Sequence, residues 1–311
     1  MDISIVIPCY NEAEVFEQLL ARVSAVAATI GQNCEVIFVD DGSTDSTWAQ
    51  IETAAKAASG TAIVGLKLAR NHGHQKALTA GLARAQGARV LMLDADLQDP
   101  PELLPDMLAM MDQGYDIVYG RRCHRAGEGW FKKASARLYY RLLRRMSDVD
   151  IPVDTGDFRL VNRKVLDKFL QMPEQGRYVR GMFAWLGHRQ IGLEYAREPR
   201  AAGTTKYPLR AMIRFAADGL ASFSTLPLRF ATTLAVLSLL IAAGLGVYVL
   251  VSWLFFSAVP GWASVLLATS FFAGIQLLTL GIMGEYIGRI YIEVKNRPLY
   301  LVEKDTSADE P

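Results

Sequence analysis

The sequence is poor in the residues that build metal–thiolate sites and disulfide frameworks. Its 311 residues include three cysteines, at positions 9, 34 and 123, and no C-x-x-C pair. An odd number of widely spaced cysteines favours neither a zinc site nor a set of disulfides, and it fits a reducing compartment. A formal net charge of +1 also argues against a dedicated nucleic-acid binder, because such proteins carry a strong positive excess.

Two nucleotide-binding motifs are also absent. No G-x-x-x-x-G-K-[ST] sequence occurs, which excludes a P-loop, and no G-x-G-x-x-G follows an apolar run, which argues against a dinucleotide dehydrogenase. If this protein binds a diphosphate, a metal ion and arginine side chains must hold it.

Short apolar runs alternate with helix-length stretches through the first third of the chain. Runs at residues 3–7, 35–39, 62–66 and 89–93 predict buried parallel strands. Helices are predicted at about residues 13–30, 45–58, 74–85 and 101–114. This strict alternation predicts an α/β fold with a doubly wound sheet and right-handed crossovers.

Polar clusters follow three of the predicted strands, at residues 8–12, 40–43 and 94–98. Ligands of open α/β sheets bind outside the carboxyl ends of the strands, so the clusters predict one site at that edge. Residues 41–45 alone are better explained as a turn followed by a helix N-cap.

Asp94-Ala95-Asp96 is the sharpest motif, because residues i and i+2 of an extended chain point the same way. Both carboxylates can then bind one hard cation, and without His or Cys such a set selects Mg²⁺ or Mn²⁺ over Zn²⁺. A lone D-x-D is common by chance. Its position after an apolar run and before Gln98 favours a metal site.

A strongly basic segment follows at residues 121–145, with nine basic residues against the single acid Glu128. Four of the basic residues recur every four positions, along one side of a predicted helix. A solvated helix face and a surface for phosphates or anionic lipid both remain open.

Residues 230–284 form a run of 55 positions without Asp, Glu, Lys or Arg. A membrane crossing takes about 20 apolar residues, so the run predicts two spans, near 230–256 and 262–283, broken at Pro260-Gly261. A buried hairpin of a soluble protein fits this length poorly. Basic residues flank the run and none lies in its turn, which predicts both ends in the cytoplasm.

The segments around this run carry further predictions. The amino-terminal residues lack the basic start of a signal peptide, so we expect the α/β domain to stay cytoplasmic. Residues 209–226 mix apolar and charged positions and predict an interfacial helix. The charged residues after Val302 predict a disordered tail.

Five motifs together resemble the polyprenyl-phosphate glycosyltransferases of family 2, most of all the bactoprenol glucosyltransferases and more distantly the dolichol-phosphate mannose synthases. The motifs are I-V-I-P-C-Y-N-E (5–12), V-D-D-G-S (39–43), D-A-D-L-Q-D-P (94–100), G-D-F-R-L (156–160) and G-E-Y-I-G-R (284–289). The resemblance covers nearly the whole chain.

The resemblance implies a GT-A type, Rossmann-like domain with a mostly parallel sheet in residues 1–208. An interfacial helix at 209–227, two transmembrane helices at 228–284 and a cytoplasmic tail at 285–311 would follow, in the inner membrane. The implied reaction transfers a hexose, glucose from UDP-glucose, to undecaprenyl or another polyprenyl phosphate with inversion. A mannosyl or amino-sugar transferase and a non-catalytic nucleotide-sugar-binding protein are the alternatives, and homo-oligomerisation is left open. Processive relatives carry a Q-x-x-R-W motif that is absent here, which favours single transfer.

Carried over residue by residue, the resemblance implies three groups of binding residues. The nucleotide sugar would contact Pro8, Tyr10, Glu12, Asp41, Asp94 and Arg122. Asp94, Asp96 and Gln98 would hold Mg²⁺ or Mn²⁺. The lipid phosphate would contact Lys132, Ser135, Arg200 and Lys206.

Asp157 and Asp96 are the implied catalytic residues. For Asp157 two roles remain, a general base or a fixed carboxylate that orients the sugar or an arginine, beside a purely structural pairing with Arg159. A phosphate monoester has a second pKa of about 6 and is largely anionic near neutrality. Positioning is therefore the favoured hypothesis over base catalysis.

Overall fold

The structure is a computed structural model that describes residues 1–31, 33–58, 60–122, 155–196, 226–255 and 261–307. Two compact units divide these residues. The α/β unit contains residues up to Arg122, residues 155–196 and residues 297–307, and the helical unit contains residues 226–255 and 261–296.

An eight-stranded sheet organises the described part of the α/β unit, in the order β7-β5-β6-β4-β1-β2-β3-β8. Only β6 and β8 run against the direction of the other strands. The prediction of an α/β fold with a mostly parallel sheet is confirmed. The strands are β1 (Ile3–Cys9), β2 (Cys34–Asp40), β3 (Ala62–Leu68), β4 (Arg89–Met92), β5 (Ile117–Arg122), β6 (Thr155–Asn162), β7 (Gln190–Tyr195) and β8 (Val302–Asp305).

Helices connect the parallel strands, and the first four predicted helices and strands are confirmed to within about three residues, the usual uncertainty of element ends. A 3-10 turn, Pro101–Leu103, leads into the fourth helix. The helices of the α/β unit are α1 (Phe16–Ile30), α2 (Thr47–Ala57), α3 (His74–Arg84), α4 (Leu104–Asp112), α5 (Arg163–Leu170) and α6 (Val179–Trp185).

The sheet is covered on both faces. On one face α1, α2 and α4 share an apolar core, in which Phe16 and Phe38 pack edge to face with centroids 5.0 Å apart. On the other face α3 approaches the sheet closely at Gly81. A Cβ there would lie 2.4 Å from Val6 Cγ1 and 2.8 Å from Val39 Cγ2, so the missing side chain permits this packing distance.

The direction of β6 brings a later part of the chain to the carboxyl edge of the sheet. Since β6 is antiparallel to β4, with Arg159 opposite Met92, its first residues lie beside the residues that follow β4. Asp157 therefore reaches the same edge as Asp94 and Asp96. This confirms no role for Asp157, but it places the residue where ligands of such sheets bind.

The segment after the helical unit returns to the sheet. Val302–Asp305 pairs antiparallel with β3, and Gly65 and Thr306 exchange two hydrogen bonds, of 2.8 and 3.0 Å. The prediction of disorder after Val302 is wrong for these residues, because backbone pairing orders a segment that has no apolar pattern. Residues 297–307 accordingly group with the α/β unit rather than forming a separate tail.

The helical unit contains two long helices, α7 (Leu226–Phe255) and α8 (Trp262–Val294). Phe230–Ser252 and Leu267–Val294 are long and apolar enough to cross a membrane, with mean hydropathies of 2.6 and 1.6. Helix α8 continues past the expected end at residue 283 and includes the pair Glu285 and Arg289 at i and i+4.

Some predictions fall outside the described residues. They concern Lys132, Ser135, Arg200 and Lys206, the interfacial helix up to residue 225, and most of the basic segment. For these the sequence-based expectation stands as a prediction.

Candidate active site

The D-x-D segment lies directly beyond β4, and its side chains alternate between two environments. Asp94, Asp96 and Gln98 are half-buried, whereas the residues between them are buried. The three predicted metal ligands thus share the more exposed side of the segment. Asp96 Oδ1 also accepts a hydrogen bond of 3.2 Å from the Gln98 backbone N–H, which fixes the turn that follows β4.

Asp157 is the most heavily engaged carboxylate of this edge and is 4% exposed. Its Oδ1 accepts a 3.0 Å hydrogen bond from Arg180 Nε. Its Oδ2 accepts a 2.8 Å hydrogen bond from Gln75 Nε2 and lies 3.2 Å from His74 Nε2. The same His74 nitrogen is 3.5 Å from Asp94 Oδ1, so one imidazole lies between two carboxylates.

Charge and burial act together on these groups. Burial by itself raises the pKa of Asp157, but Arg180 and His74 outweigh burial and hold that pKa below its usual range. Burial raises the pKa of Asp94, with His74 opposing the shift and Asp157 adding to it. Burial lowers the pKa of His74, but its hydrogen bond to Asp157 and the charge of Asp94 reverse this and raise it. The arrangement favours an anionic Asp157 and a cationic His74 in the absence of other ions.

The carboxylates of this cluster fit a divalent cation. One ligand atom from each of His74, Asp94 and Asp157 lies within 4.8 Å of the others. Carboxylate oxygens are preferred ligands of Mg²⁺ and Mn²⁺, and imidazole is a transition-metal ligand. Among the described residues this group contains Asp94 of the predicted metal set, but not Asp96. The predicted set of Asp94, Asp96 and Gln98 stays a prediction.

Arg122, the last residue of β5, contacts two buried side chains, those of Asp99 and Tyr195. Its Nη2 lies 3.5 Å from both oxygens of the fully buried Asp99, and its Nε donates to Tyr195 Oη at 3.2 Å. Tyr195 in turn donates a short hydrogen bond to Asp99. A Cβ at Gly156 would lie 2.6 Å from Arg122 Nη2, so glycine leaves space for the guanidinium beside β6. These contacts fix a cation at the carboxyl edge, as binding of a diphosphate would require.

The loops after β1 and β2 are joined by hydrogen bonds. Asn11 N–H donates to Ser43 Oγ at 2.9 Å, and Glu12 N–H donates to Thr47 Oγ1 at 2.9 Å. Tyr10, in the loop after β1, is 38% exposed, whereas Pro8 is buried near the end of β1. The structure therefore brings the predicted nucleotide contacts Pro8, Tyr10 and Glu12 to one edge.

Asp41 has a different environment from the one expected of a ligand contact. It is buried, and its two oxygens accept hydrogen bonds from the backbone N–H groups of His72 and Gly73, at 2.7 and 2.9 Å. These bonds fix the loop that leads into α3. Asp41 thus orients His74 and its neighbours in the structure, while its predicted contact with the nucleotide stays a prediction.

Several residues of this edge were missed by the sequence reasoning. A polar run, Asn71 to Gln75, follows β3 as the other clusters follow their strands, and the same rule would have identified it. No comparable signal precedes Arg180 or Tyr195, whose positions depend on tertiary contacts. The missed residues are His74, Gln75, Asp99, Arg180 and Tyr195.

Comparison with known proteins identifies the family of this chain. Residues 4–170 match the family described as Glycosyl transferase family 2. The match covers more than half of the chain, and the chain therefore belongs to this family and is a glycosyltransferase. The resemblance inferred from the five sequence motifs is confirmed.

Individual relatives extend over almost the full length. An uncharacterized glycosyltransferase of Synechocystis sp. is 45% identical over 303 residues, 97% of this chain and 95% of that protein. The SfII prophage-derived bactoprenol glucosyl transferase of Shigella flexneri is 37% identical over 305 residues, 98% of each. The solved glucosyl-3-phosphoglycerate synthase of Mycobacterium tuberculosis, in complex with Mn²⁺, UDP-glucose and phosphoglyceric acid, gives a TM-score of 0.46. It is 20% identical and is matched over 71% of this chain and 77% of that one.

Proposed function

We propose that this glycosyltransferase transfers glucose from UDP-glucose to the phosphate of a polyprenyl lipid, with inversion at the anomeric carbon. The observation that carries the proposal is the match over 98% of both chains to a protein named bactoprenol glucosyl transferase. That match includes α7 and α8, so the similarity extends beyond the sugar-transferring domain. The two long apolar helices support an acceptor that is itself a membrane lipid.

The leaving group of this reaction is a nucleoside diphosphate, on which negative charge develops. Asp94 and Asp96 would hold a divalent cation, which when bound supplies Lewis-acid stabilisation of that charge. Arg122, fixed by Asp99 and Tyr195, would supply a further positive charge. Tyr10 and Glu12 would contact the base and ribose, in the joined loops after β1 and β2.

The acceptor of this reaction is a phosphate monoester, already largely dianionic above its second pKa of about 6. It can displace the diphosphate without first losing a proton to the enzyme. Asp157 is buried and accepts hydrogen bonds from Arg180 and Gln75, which supports the role of a fixed carboxylate over that of a proton acceptor. Asp157 would orient the cationic groups around the reacting phosphate.

We extend the proposal to the location of the protein. The α/β unit and both chain ends would lie in the cytoplasm, with α7 and α8 crossing the inner membrane as a hairpin. Residues 209–227 would lie in the membrane interface. The lipid phosphate would be bound by Lys132, Ser135, Arg200 and Lys206, which sequence resemblance alone suggests.

The test is a transfer assay with purified full-length protein in detergent. UDP-glucose, GDP-mannose and UDP-N-acetylglucosamine, each radiolabelled, would be offered with undecaprenyl phosphate or with undecaprenol as the matched acceptor without phosphate. We expect label in the lipid from UDP-glucose and undecaprenyl phosphate only. Labelling from another donor would replace glucose by that sugar, and no labelling of the phosphate lipid by any donor would overturn the proposal.

A further inference from the structure

Gln75 is the second residue of α3, and its side-chain amide joins two elements at the carboxyl edge. Its Nε2 donates a 2.8 Å hydrogen bond to Asp157 Oδ2. Its Oε1 accepts a 3.0 Å hydrogen bond from the backbone N–H of Val179, the first residue of α6. One side chain therefore connects the carboxylate on β6 with the start of α6.

The two contacts together require a side chain that can both donate and accept. The first N–H groups of a helix have no partner within the helix, so the Val179 N–H needs an external acceptor. Asp157, as an anion, needs a donor. A glutamine supplies both at one end of an uncharged side chain, whereas glutamate cannot donate and lysine cannot accept.

The contacts of Arg180 close this arrangement. Arg180 follows Val179 on α6 and donates from Nε to Asp157 Oδ1 at 3.0 Å and from Nη1 to the Thr155 carbonyl at 3.1 Å. Asp157 is therefore held from α3 on one oxygen and from α6 on the other. Gln75 also accepts from the Val179 N–H, so it links the two helices that hold Asp157.

We propose that Gln75 is a positioning residue for sugar transfer, which orients Asp157 and ties α6, with Arg180, to α3. It acts through Asp157 and need not touch either substrate. The inference rests on the proposed function, because its kinetic test uses transfer to a lipid phosphate.

The first test compares Gln75→Ala and Gln75→Glu with Gln113→Glu. Gln113 is exposed at the end of α4, toward the opposite edge of the sheet, and gives the same chemical change away from the site. We expect Gln75→Ala to lower kcat by about 10- to 100-fold, the effect of one hydrogen bond to a charged group, with little change in KM for the donor. Gln75→Glu should lower kcat at least as far, because it places a like charge beside Asp157, and Gln113→Glu should match the wild type.

Three further measurements separate positioning from a general loss of structure. In the Asp157→Asn background, Gln75→Ala should lower kcat by less than about threefold, because residues acting through one group are not additive. Hydrogen exchange at the Val179 amide should accelerate in Gln75→Ala and stay near wild type in Gln75→Glu, which keeps the acceptor. Thermal unfolding of Gln75→Ala should remain close to that of Gln113→Glu.

The proposal would be overturned if Gln75→Ala kept the wild-type kcat. It would also be overturned if the loss of kcat in Gln75→Ala multiplied with the loss in Asp157→Asn. If the wild-type protein labels no phosphate lipid, the proposed function fails, and exchange at Val179 still decides on Gln75. An unchanged rate of hydrogen exchange at the Val179 amide in Gln75→Ala would then show that Gln75 does not hold the start of α6.

Discussion

At the scale of single residues, the surroundings of Asp157 bear on how the acceptor is activated. Arg180 and Gln75 donate to its two oxygens, and His74 lies 3.2 Å away. Each of these groups stabilises the charged carboxylate, and a carboxylate that is stable as an anion is a poor proton acceptor. In the proposed reaction, the acceptor phosphate would therefore have to arrive deprotonated.

Asp157→Asn tests this point, because it keeps the shape and removes the charge. We expect transfer to fall by about 10- to 100-fold, as for loss of one charge-assisted contact, yet to stay measurable. The residual rate should rise with pH through the second pKa of the lipid phosphate, about 6, and level off above it, because the dianion is the nucleophile. The measurement is kcat between pH 5 and 8, with Asp167→Asn on the exposed side of α5 as control. Absence of any turnover across this range would identify Asp157 as an obligatory base.

A second prediction at this scale concerns the metal. Asp94→Asn and Asp96→Asn should each nearly abolish transfer, because losing the cation removes several kcal/mol of leaving-group stabilisation. Excess chelator should abolish transfer by the wild-type protein, and added Mg²⁺ or Mn²⁺ should restore this activity. Asp106→Asn, exposed in the first turn of α4, is the matched control. Full turnover of the wild type in chelator would refute the prediction.

The sequence could reveal some of these residues and not others for a physical reason. Asp94 and Asp96 are neighbours in the chain and follow a run that is apolar because it is buried on both faces. The contacts of Asp157 with His74 and Gln75 span 83 and 82 residues, and that with Arg180 spans 23. Such contacts depend on β6 running antiparallel beside β4, and no local sequence pattern predicts this pairing.

At the scale of elements, α5 begins with a side-chain cap. Asn162 Oδ1 accepts from the Val165 N–H at 2.9 Å, and its Nδ2 donates to Asp116 at 2.7 Å. We expect Asn162→Ala to lower the free energy of unfolding by about 1 kcal/mol, the usual effect of removing an N-cap. For a unit of this size the Tm should fall by about 2 to 4 °C. Thermal unfolding would measure it, and Asn162→Ser, which keeps a capping oxygen without placing a charge beside Asp116, should lose less. An unchanged Tm in Asn162→Ala would contradict a stabilising cap.

The last strand carries a prediction of its own. Besides its backbone pairing with β3, it is fixed by Arg84 to Asp305 at 3.1 Å and by Lys67 to Glu303 at 3.1 Å. Truncation after Leu301 should lower the Tm of the α/β unit and promote association, because it exposes the unpaired edge of β3. Truncation after Ser307, which keeps β8, should leave both properties unchanged. Equal stability of the two truncated proteins would show that β8 contributes nothing.

Prediction of elements succeeded where the pattern was strong. Strands β1 to β4 are mostly buried, and their continuous apolar runs are visible in the sequence. By contrast β7 is half-exposed, and β8 reads V-E-K-D, with no apolar pattern. Pairing with a neighbouring strand decides the structure of such segments, so propensity alone could not find them.

At the scale of the whole molecule, the return of the chain to β3 constrains the topology. Residues before α7 and after α8 both belong to the α/β unit. If the apolar helices cross a membrane, the chain must therefore cross an even number of times. The even number of crossings does not depend on the positive-inside rule, and it supports the same hairpin.

Reporter fusions after Pro311 and at residue 258, between the two spans expected from the sequence, can test this topology. We expect an alkaline phosphatase reporter to be active only in the turn, and a cytoplasmic fluorescent reporter only at the carboxyl terminus. A carboxyl-terminal tag that is accessible from outside intact cells would reject the hairpin and the cytoplasmic donor site.

The pairing of β8 with β3 also sets an order of events during synthesis. The two hydrogen-bonded residues Gly65 and Thr306 are 241 positions apart. A ribosome makes β3 before both apolar helices and β8 after them. The edge of β3 therefore lacks its partner strand β8 until both long apolar helices have been synthesised. In this protein the eight-stranded sheet is completed only after both long apolar helices have been synthesised.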